Sequence, residues 1–390
     1  MCIRDSSETT VNLQEVDSWS CCSRGLGAYG LPYYFKISFL LSPNAIRLMR
    51  YWSHRKACEV ERMKEIELMR AIVVESDQTL AWKEVPLPAL GSKEVAIAVK
   101  ATAINRADLM QRRGLYPPPP GASSVLGLEC AGVVAAVGDE TVRFQVGDSV
   151  CALLPGGGYA EQVVADEGSV VPIPDGFDFV QAAALPEVYA TAWLNLFIEA
   201  EMQPGERCVI HAGASGVGSA AIQLCGAFGV SCFVTIGSDE KLDYCRSLGA
   251  GAGHVRTSGS FKEAVMNWSE SEGVDVILDP VGAGYLSDNL DSLRLGGRLV
   301  LIGLMSGART ELDMGKLMMK RLRVIGSTLR ARPLVEKKTV MAELERSVWP
   351  KLADGSLSPQ VDRVFPIAEA DAAHALMASD ETKGKVVLKV

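Results

Sequence analysis

From residue 69 onward, short runs rich in Val, Ile and Ala alternate with Gly and Pro clusters: AIVVE, EVAIAVKATAIN, CAGVVAAVG and DSVCALL in turn. Runs of that length bounded by turn residues predict strands, so this stretch is expected to be β-rich. After Pro186 the rhythm changes to strand, Gly-rich turn and helix in repeated units, the pattern of parallel βαβ construction. Strands are expected over 208–212, 232–236, 274–279, 298–303 and 323–327, with helices in the gaps. A long helix around 337–352 leads to a closing strand over 385–390. That strand lies too far from the repeats to join them and is expected to return to the first domain.

The domain reading is therefore 69–190 for a first, β-rich part, 191–328 for a βαβ domain and 329–390 for a return to the first. Residues 1–68 show no sustained period and hold four of the ten cysteines. They read as an extension translated from upstream of the natural start, with Met69 or Met63 opening the folded protein. A targeting peptide is the rival account, although no clean Arg-rich amphipathic pattern is present.

Composition narrows the partners. The chain has 390 residues, 48% of them hydrophobic, and a net charge of −8. That is enough apolar material for two cores, and the wrong sign for a protein held on a phosphate backbone. The longest apolar run, Tyr33 to Leu41, is interrupted by Lys36 and followed by Pro43, so neither nucleic acid nor a membrane is expected as a partner. The ten cysteines form no CxxC pair and only four His are present, none spaced as zinc ligands. Free thiols and a reducing cytoplasm fit that usage.

The chemistry-bearing segment is the strand CVIHA running into Gly213, Ala214, Ser215, Gly216, Val217 and Gly218, then the apolar helix SAAIQLC. Glycines let the backbone turn sharply and approach a pyrophosphate, while the helix N-terminus offers unpaired N–H groups to the anion. The spacing is GxxGxG. Set between a strand and a helix and followed by further βα units, it points to dinucleotide binding. About 20 residues on, where an NAD enzyme places a carboxylate on the ribose, stand Gly237 and Ser238. Lys241 and Arg256 could neutralise a 2′-phosphate there, which favours NADP. In the ordinary account Lys241 is a solvated helix residue and Asp239 caps that helix.

Seven blocks, in order, carry a resemblance: NRADLMQRRGLYPPPPG (105–121), LGLECAG (126–132), LLPGGGYAE (153–161), LPEVYATAW (185–193), HAGASGVGSAAIQL (211–224), LIGLMSG (301–307) and STLRARP (327–333). Residues 69–390 resemble the zinc-independent quinone oxidoreductases of the medium-chain dehydrogenase/reductase superfamily, most closely the p53-inducible type. The resemblance implies an α/β protein: a GroES-like β-barrel catalytic domain plus a Rossmann doubly wound parallel sheet, with the active site in the cleft. Zinc-dependent relatives place a Cys where this chain has Asn105 and a His where it has Leu128, so no catalytic metal is expected.

Carried over by position, Gly213, Ser215, Gly216, Val217 and Gly218 would meet the pyrophosphate, and Thr191 would lie near the nicotinamide with Gly303, Leu304 and Met305 along it. Gly237, Ser238, Lys241 and Arg256 would surround the 2′-phosphate, and Asn105 and Tyr116 would line the catalytic cleft. Ser215 departs from the Gly of most quinone oxidoreductases but matches the p53-inducible type; Arg256 replaces the usual Tyr. Simpler roles exist for several of these: a turn for Asn105, packing of a polyproline segment for Tyr116, and a bond within its own helix for Thr191. Gly156 to Gly158 read as a loop and His211 as a satisfied core residue. The implied activity is hydride transfer from NADPH to a quinone, with Tyr116 or solvent supplying the proton. An enoyl or 2-alkenal reductase, or a nucleotide-binding regulatory protein, is the alternative. A homodimer is implied, and the LVLIGLM strand is apolar enough to provide its edge, although simple burial gives a strand the same composition.

Overall fold

The computed structural model describes residues 67–390, and the reading of 1–68 as an extension falls outside the described residues except at its end. Strand pairing begins at Leu68, one residue before Met69, where Leu68 opposes Pro86.

The first lobe opens with an antiparallel hairpin of β1 (Leu68–Val74) and β2 (Leu80–Pro86). There follow β3 (Glu94–Ala103), α1 (Arg106–Arg112), β4 (Glu129–Val137), β5 (Ser149–Leu153), β6 (Gln162–Asp166) and β7 (Val170–Pro172). β3 is buried along nearly its whole length and is the organising strand. Its first half pairs with β6, its last three residues pair with a strand from the chain terminus, and β4 runs along its other edge. Bulges between Ala96 and Ile97 and between Val99 and Ala101 interrupt the β4 ladder. Such extra residues bend and twist a strand, so one strand can serve two partners and the sheet curls toward a barrel.

α2 (Phe179–Ala183) and α3 (Pro186–Trp193) lead into a π-helical turn over Leu194–Glu199. The βαβ region then runs β8 (Arg207–His211), α4 (Gly216–Ala227), β9 (Ser231–Ile236), α5 (Asp239–Ser247), β10 (Ala252–Val255), α6 (Lys262–Trp268), β11 (Val274–Asp279), α7 (Leu286–Ser292), β12 (Leu293–Leu301), α8 (Met314–Met319) and β13 (Arg323–Gly326). All neighbours in this sheet are parallel and the order is β10-β9-β8-β11-β12-β13. The chain steps one way from β8 and then crosses back to lay down β11, β12 and β13. This is the doubly wound arrangement, and its crevice opens at the carboxyl ends of β8 and β11. β11 is buried at every position, as a central strand covered on both faces must be.

The chain returns through α9 (Leu334–Ser347), α10 (Trp349–Ala353), β14 (Val361–Pro366), α11 (Ala370–Ala378) and β15 (Lys385–Lys389). β15 pairs antiparallel with β3 and parallel with β14, so the last segment closes the first lobe. Among the described residues no helix is long and apolar enough to cross a membrane.

Three expectations need correction. The helix expected around 337–352 is two helices, because Pro350 lacks the N–H that would continue the first and instead sits in the opening turn of α10. The strand expected over 298–303 starts earlier and ends at Leu301. That strand, β12, is paired on both sides, which decides for burial over edge pairing; the edges of the sheet are β10 and β13. A boundary between residues 190 and 191 cuts α3, and the largest apolar cluster runs through it, joining Ala103 and Leu153 of the first lobe to Leu185, Ile210, Ala220 and Val340. The six described cysteines are free and buried.

Candidate active site

The turn after β8 has a separate reason for each glycine. A Cβ on Gly213 would lie 2.8 Å from the Val234 side chain, and one on Gly218 would lie 2.5 Å from the carbonyl oxygens of Ala212 and Gly213. Those positions let helix and strand approach closely. A Cβ on Gly216 would lie 2.6 Å from the Lys385 side chain, the point where the two lobes meet. Ala212 takes the left-handed backbone, φ +53°, which bends the chain into the turn. Ser215 caps α4: its Oγ accepts from the Gly218 N–H at 3.1 Å. As the first helical residues, Gly216 and Val217 have N–H groups with no intrahelical acceptor, and these are the donors an anion would use.

At the end of β9 the structure brings together the four residues expected there. Ser238 caps α5 by accepting from the Lys241 N–H at 3.3 Å, a role the sequence assigned to Asp239 in its simpler account. The Arg256 guanidinium lies over Gly237, 3.6 Å from where a Cβ would be. Two further residues join them that motif reasoning missed. Asp380 pairs with Arg256 at 3.0 Å and with Arg106 at 3.6 Å, and the Lys241 ammonium donates to its carbonyl oxygen.

His211 ends β8 as a core residue. It is 1% exposed and sits between Thr235 (Nδ1, 2.9 Å) and Asn289 (Nε2, 2.7 Å). Asn289 donates its amide to Asp279 at 2.9 Å, so its oxygen faces the imidazole, and the proton of His211 resides on Nε2. Asp279 in turn accepts from the N–H groups of Val281 and Gly282, which shapes the loop after β11. Gly303 packs against that loop, where a Cβ would lie 2.6 Å from the Pro280 carbonyl oxygen. Leu304 and Met305, just beyond, are exposed.

In the cleft, Asn105 is buried, and both ends of its amide are engaged inside the protein. Nδ2 donates to Glu129 at 2.9 Å and Oδ1 accepts from Lys385 at 2.7 Å. Lys385 also donates to Glu129 (2.7 Å) and to the Ile104 carbonyl oxygen (2.8 Å), with side chains of Lys385 and Glu129 only 3% and 0% exposed. The other Glu129 oxygen accepts from the Glu187 N–H at 2.9 Å. Behind this group, Asp108 accepts from the Asn105 and Gly127 N–H groups and from the Tyr159 hydroxyl, and burial lifts its carboxyl to about 6.

Tyr116 is half-buried with its ring 5.4 Å from the Arg330 guanidinium. Arg330 is 4% exposed and donates to the Pro155 carbonyl oxygen and to Gln111, pinning the loop that carries Tyr116. Burial raises the Tyr116 hydroxyl above its ordinary range. Glu187, in the first turn of α3, is lifted to about 8 by burial and then by the Glu129 charge, with Lys385 and Arg330 opposing. Thr191 is one turn further along α3, partly exposed, and its carbonyl oxygen accepts from Asn195.

A zinc ion does not fit here. Leu128 is an apolar buried side chain, Asn105 has no free donor atom, and among the described residues no group of three or more His, Cys, Asp or Glu is arranged to hold a metal. The groups present suit a dinucleotide's phosphates: the N–H groups of Gly216 and Val217 open α4 behind the Ser215 cap, and Lys241 and Arg256 stand at the corner after β9.

Residues 216–346 match the zinc-binding dehydrogenase family and residues 91–175 the alcohol dehydrogenase GroES-like domain. A quinone oxidoreductase of Pseudomonas aeruginosa is 35% identical over 306 residues, 76% of this chain and 91% of that protein. A mycocerosic acid synthase-like polyketide synthase of Mycobacterium tuberculosis is 33% identical over 317 residues, 80% of this chain; the chain spans only 15% of its length. Among solved structures, a quinone oxidoreductase of Pseudomonas syringae has a TM-score of 0.75 at 30% identity, covering 83% of this chain and 100% of that one. The enoyl reductase CurK has a TM-score of 0.73 at 29% identity, with 83% and 99% covered. The Escherichia coli quinone oxidoreductase complexed with NADPH has a TM-score of 0.73 at 26% identity, again with 83% and 99% covered. With a GroES-like lobe, a doubly wound nucleotide lobe and a relative matched over nearly its full length, the chain belongs to the medium-chain dehydrogenase/reductase superfamily of nicotinamide-dependent oxidoreductases.

Proposed function

We propose that the protein is an NADPH-dependent reductase of quinones, of the p53-inducible type. The observation that carries the NADPH part of this reading is the corner after β9, where Lys241, Arg256 and Arg106 gather positive charge beside the small residues Gly237 and Ser238 and hold the one carboxylate of Asp380 between them. When bound, the reduced nicotinamide supplies a hydride. The chain's own part is to bind and to orient. Gly213, Ser215, Gly216, Val217 and Gly218 receive the pyrophosphate, and Thr191, Gly303, Leu304 and Met305 flank the ring. Asn105 is held rigid by Lys385 and Glu129 and forms the wall against which an acceptor lies.

A quinone is already electrophilic, so alignment at ~3–3.5 Å supplies much of the barrier reduction without a Lewis acid. Tyr116, protonated well above neutral pH, lies at the mouth as the proton source for the nascent hydroquinone oxygen. NADPH oxidation followed against ortho-quinones, para-quinones and enones is the test. Turnover of quinones that survives chelation supports the reading, whereas failure to bind NADPH, or loss of activity on chelation, overturns it.

One observation favours a second reading, reduction of an α,β-unsaturated carbonyl. That reaction needs a proton at carbon after hydride addition, and Glu187 stays protonated up to about pH 8. A panel in which enones outpace quinones would select it.

The protein is also read as a cytoplasmic homodimer. The edge strand β13 exposes Val324, and Met314, Met318 and Met319 of α8 stand exposed before it, an apolar surface suited to pairing with a second copy.

A further inference from the structure

After α11 the chain turns through Asp380, whose backbone is left-handed at φ +63°, and crosses to the nucleotide lobe before entering β15 at Lys385. The crossing is held at several points. Lys383 pairs with Glu240 of α5 at 2.7 Å, and the Gly384 N–H donates to the Ala214 carbonyl oxygen at 2.9 Å, beside the phosphate-binding turn. Gly384 is confined by the Gln360 backbone, so the crossing has little room to drift. Its leading residue reaches the corner after β9. There Asp380 takes Arg256 on one carboxylate oxygen, Arg106 on the other and Lys241 on its carbonyl oxygen.

We propose that Asp380 is a resident counter-anion of the 2′-phosphate pocket: it engages Arg256, Arg106 and Lys241 in the free protein, must yield them to a 2′-phosphate, and thereby limits how far NADPH is preferred over NADH. The proposal rests on the NADPH reading above. Asp380, Arg256 and Arg106 are 43%, 52% and 45% exposed. Pairs at that exposure are weak and screened, so they can be exchanged readily. A phosphomonoester, with a charge of about −1.5 to −2, outcompetes one carboxylate for the same cations. A cofactor with a bare 2′-hydroxyl brings no charge to compete for them and leaves the pairs in place. Because Arg106 opens α1 in the first lobe and Arg256 belongs to the second, the same carboxylate ties the lobes together until the phosphate arrives.

Asp380→Asn removes the charge and keeps the shape, and Asn tolerates the left-handed backbone at least as well as Asp. Fluorescence titration of the full chain with NADPH and NADH, and competition by 2′,5′-ADP against 5′-AMP, read the effect. The variant should bind NADPH and 2′,5′-ADP about fivefold more tightly, with NADH and 5′-AMP changed less than about twofold. An unchanged NADPH Kd, or an equal shift for both cofactors, overturns the proposal. Lys241→Glu and Arg256→Ala separate it from the reading beneath it. If both retain the NADPH preference, the pocket assignment fails and the proposal with it; if both lose the preference while Asp380→Asn changes nothing, only the role of Asp380 fails.

Discussion

Replacing Lys385 by Met tests whether the wall of the cleft is held by a buried charge. The ammonium has three oxygen neighbours, Glu129 at 2.7 Å, Asn105 at 2.7 Å and Ile104 O at 2.8 Å, and almost no solvent. At that separation, and with an effective dielectric of ~20, the direct attraction between the charges is about 6 kcal/mol, most of it offset by the cost of taking both ions out of water. Methionine preserves the stem that fills the space against Gly216, so lost packing contributes little. What remains is a carboxylate held only by the Asn105 amide and the Glu187 N–H. Removing one partner of such a pair costs ~3–5 kcal/mol, and the denaturation midpoint should fall by that equivalent with the slope unchanged. The double variant Lys385→Met with Glu129→Met should be less damaged than the sum of the two single changes, because it leaves no orphaned charge. A loss under ~1 kcal/mol in the single variant, or strict additivity in the double, would show that the pair behaves like a surface contact.

Glu187 gives a pH dependence of defined sign. Its folded-state carboxyl lies at about 8, against an ordinary 4.5, so between those values the folded protein keeps a proton that the unfolded chain gives up. At this group, stability therefore falls as pH rises from about 4.5 to about 8, and Glu187→Gln should flatten that slope in denaturation series at pH 6 and pH 8.5. A slope identical to wild type removes the group from the account. If Glu187 also supplies the proton in enone reduction, that rate should decline through about pH 8 in wild type and lose the decline in the variant. For Tyr116→Phe, turnover of quinones should fall about two- to tenfold with NADPH affinity preserved, and an unchanged rate would assign the proton to solvent. Met318→Glu together with Met319→Glu should convert a dimer to a monomer in sedimentation; a dimer that persists would place the interface elsewhere.

What the sequence disclosed follows from how far each signal reaches. The phosphate turn was legible because strand, glycines and helix are contiguous, and each glycine answers a steric demand from neighbours within the same βαβ unit. His211 was legible as a core residue for the same reason, being the last residue of an apolar strand. Lys385, Glu129 and Asn105 gave no such signal, since Asn105 meets Lys385 across 280 positions and the two ends are joined only when β15 docks on β3. The trace they left was a chemical anomaly: a Glu opening the apolar strand ECAGVVAAV and a Lys opening KVVLK, charges at positions where the pattern demands burial. Arg256 and Asp380, 124 positions apart, left less, because exposed ion pairs impose no hydropathy pattern at all. The place of LVLIGLM in the sheet stayed open between edge and interior by the same logic. β12 is paired on both sides and buried at Leu299 and Val300, so an apolar run in a doubly wound sheet is evidence of burial, and an edge is to be sought in a shorter, more exposed strand such as β13.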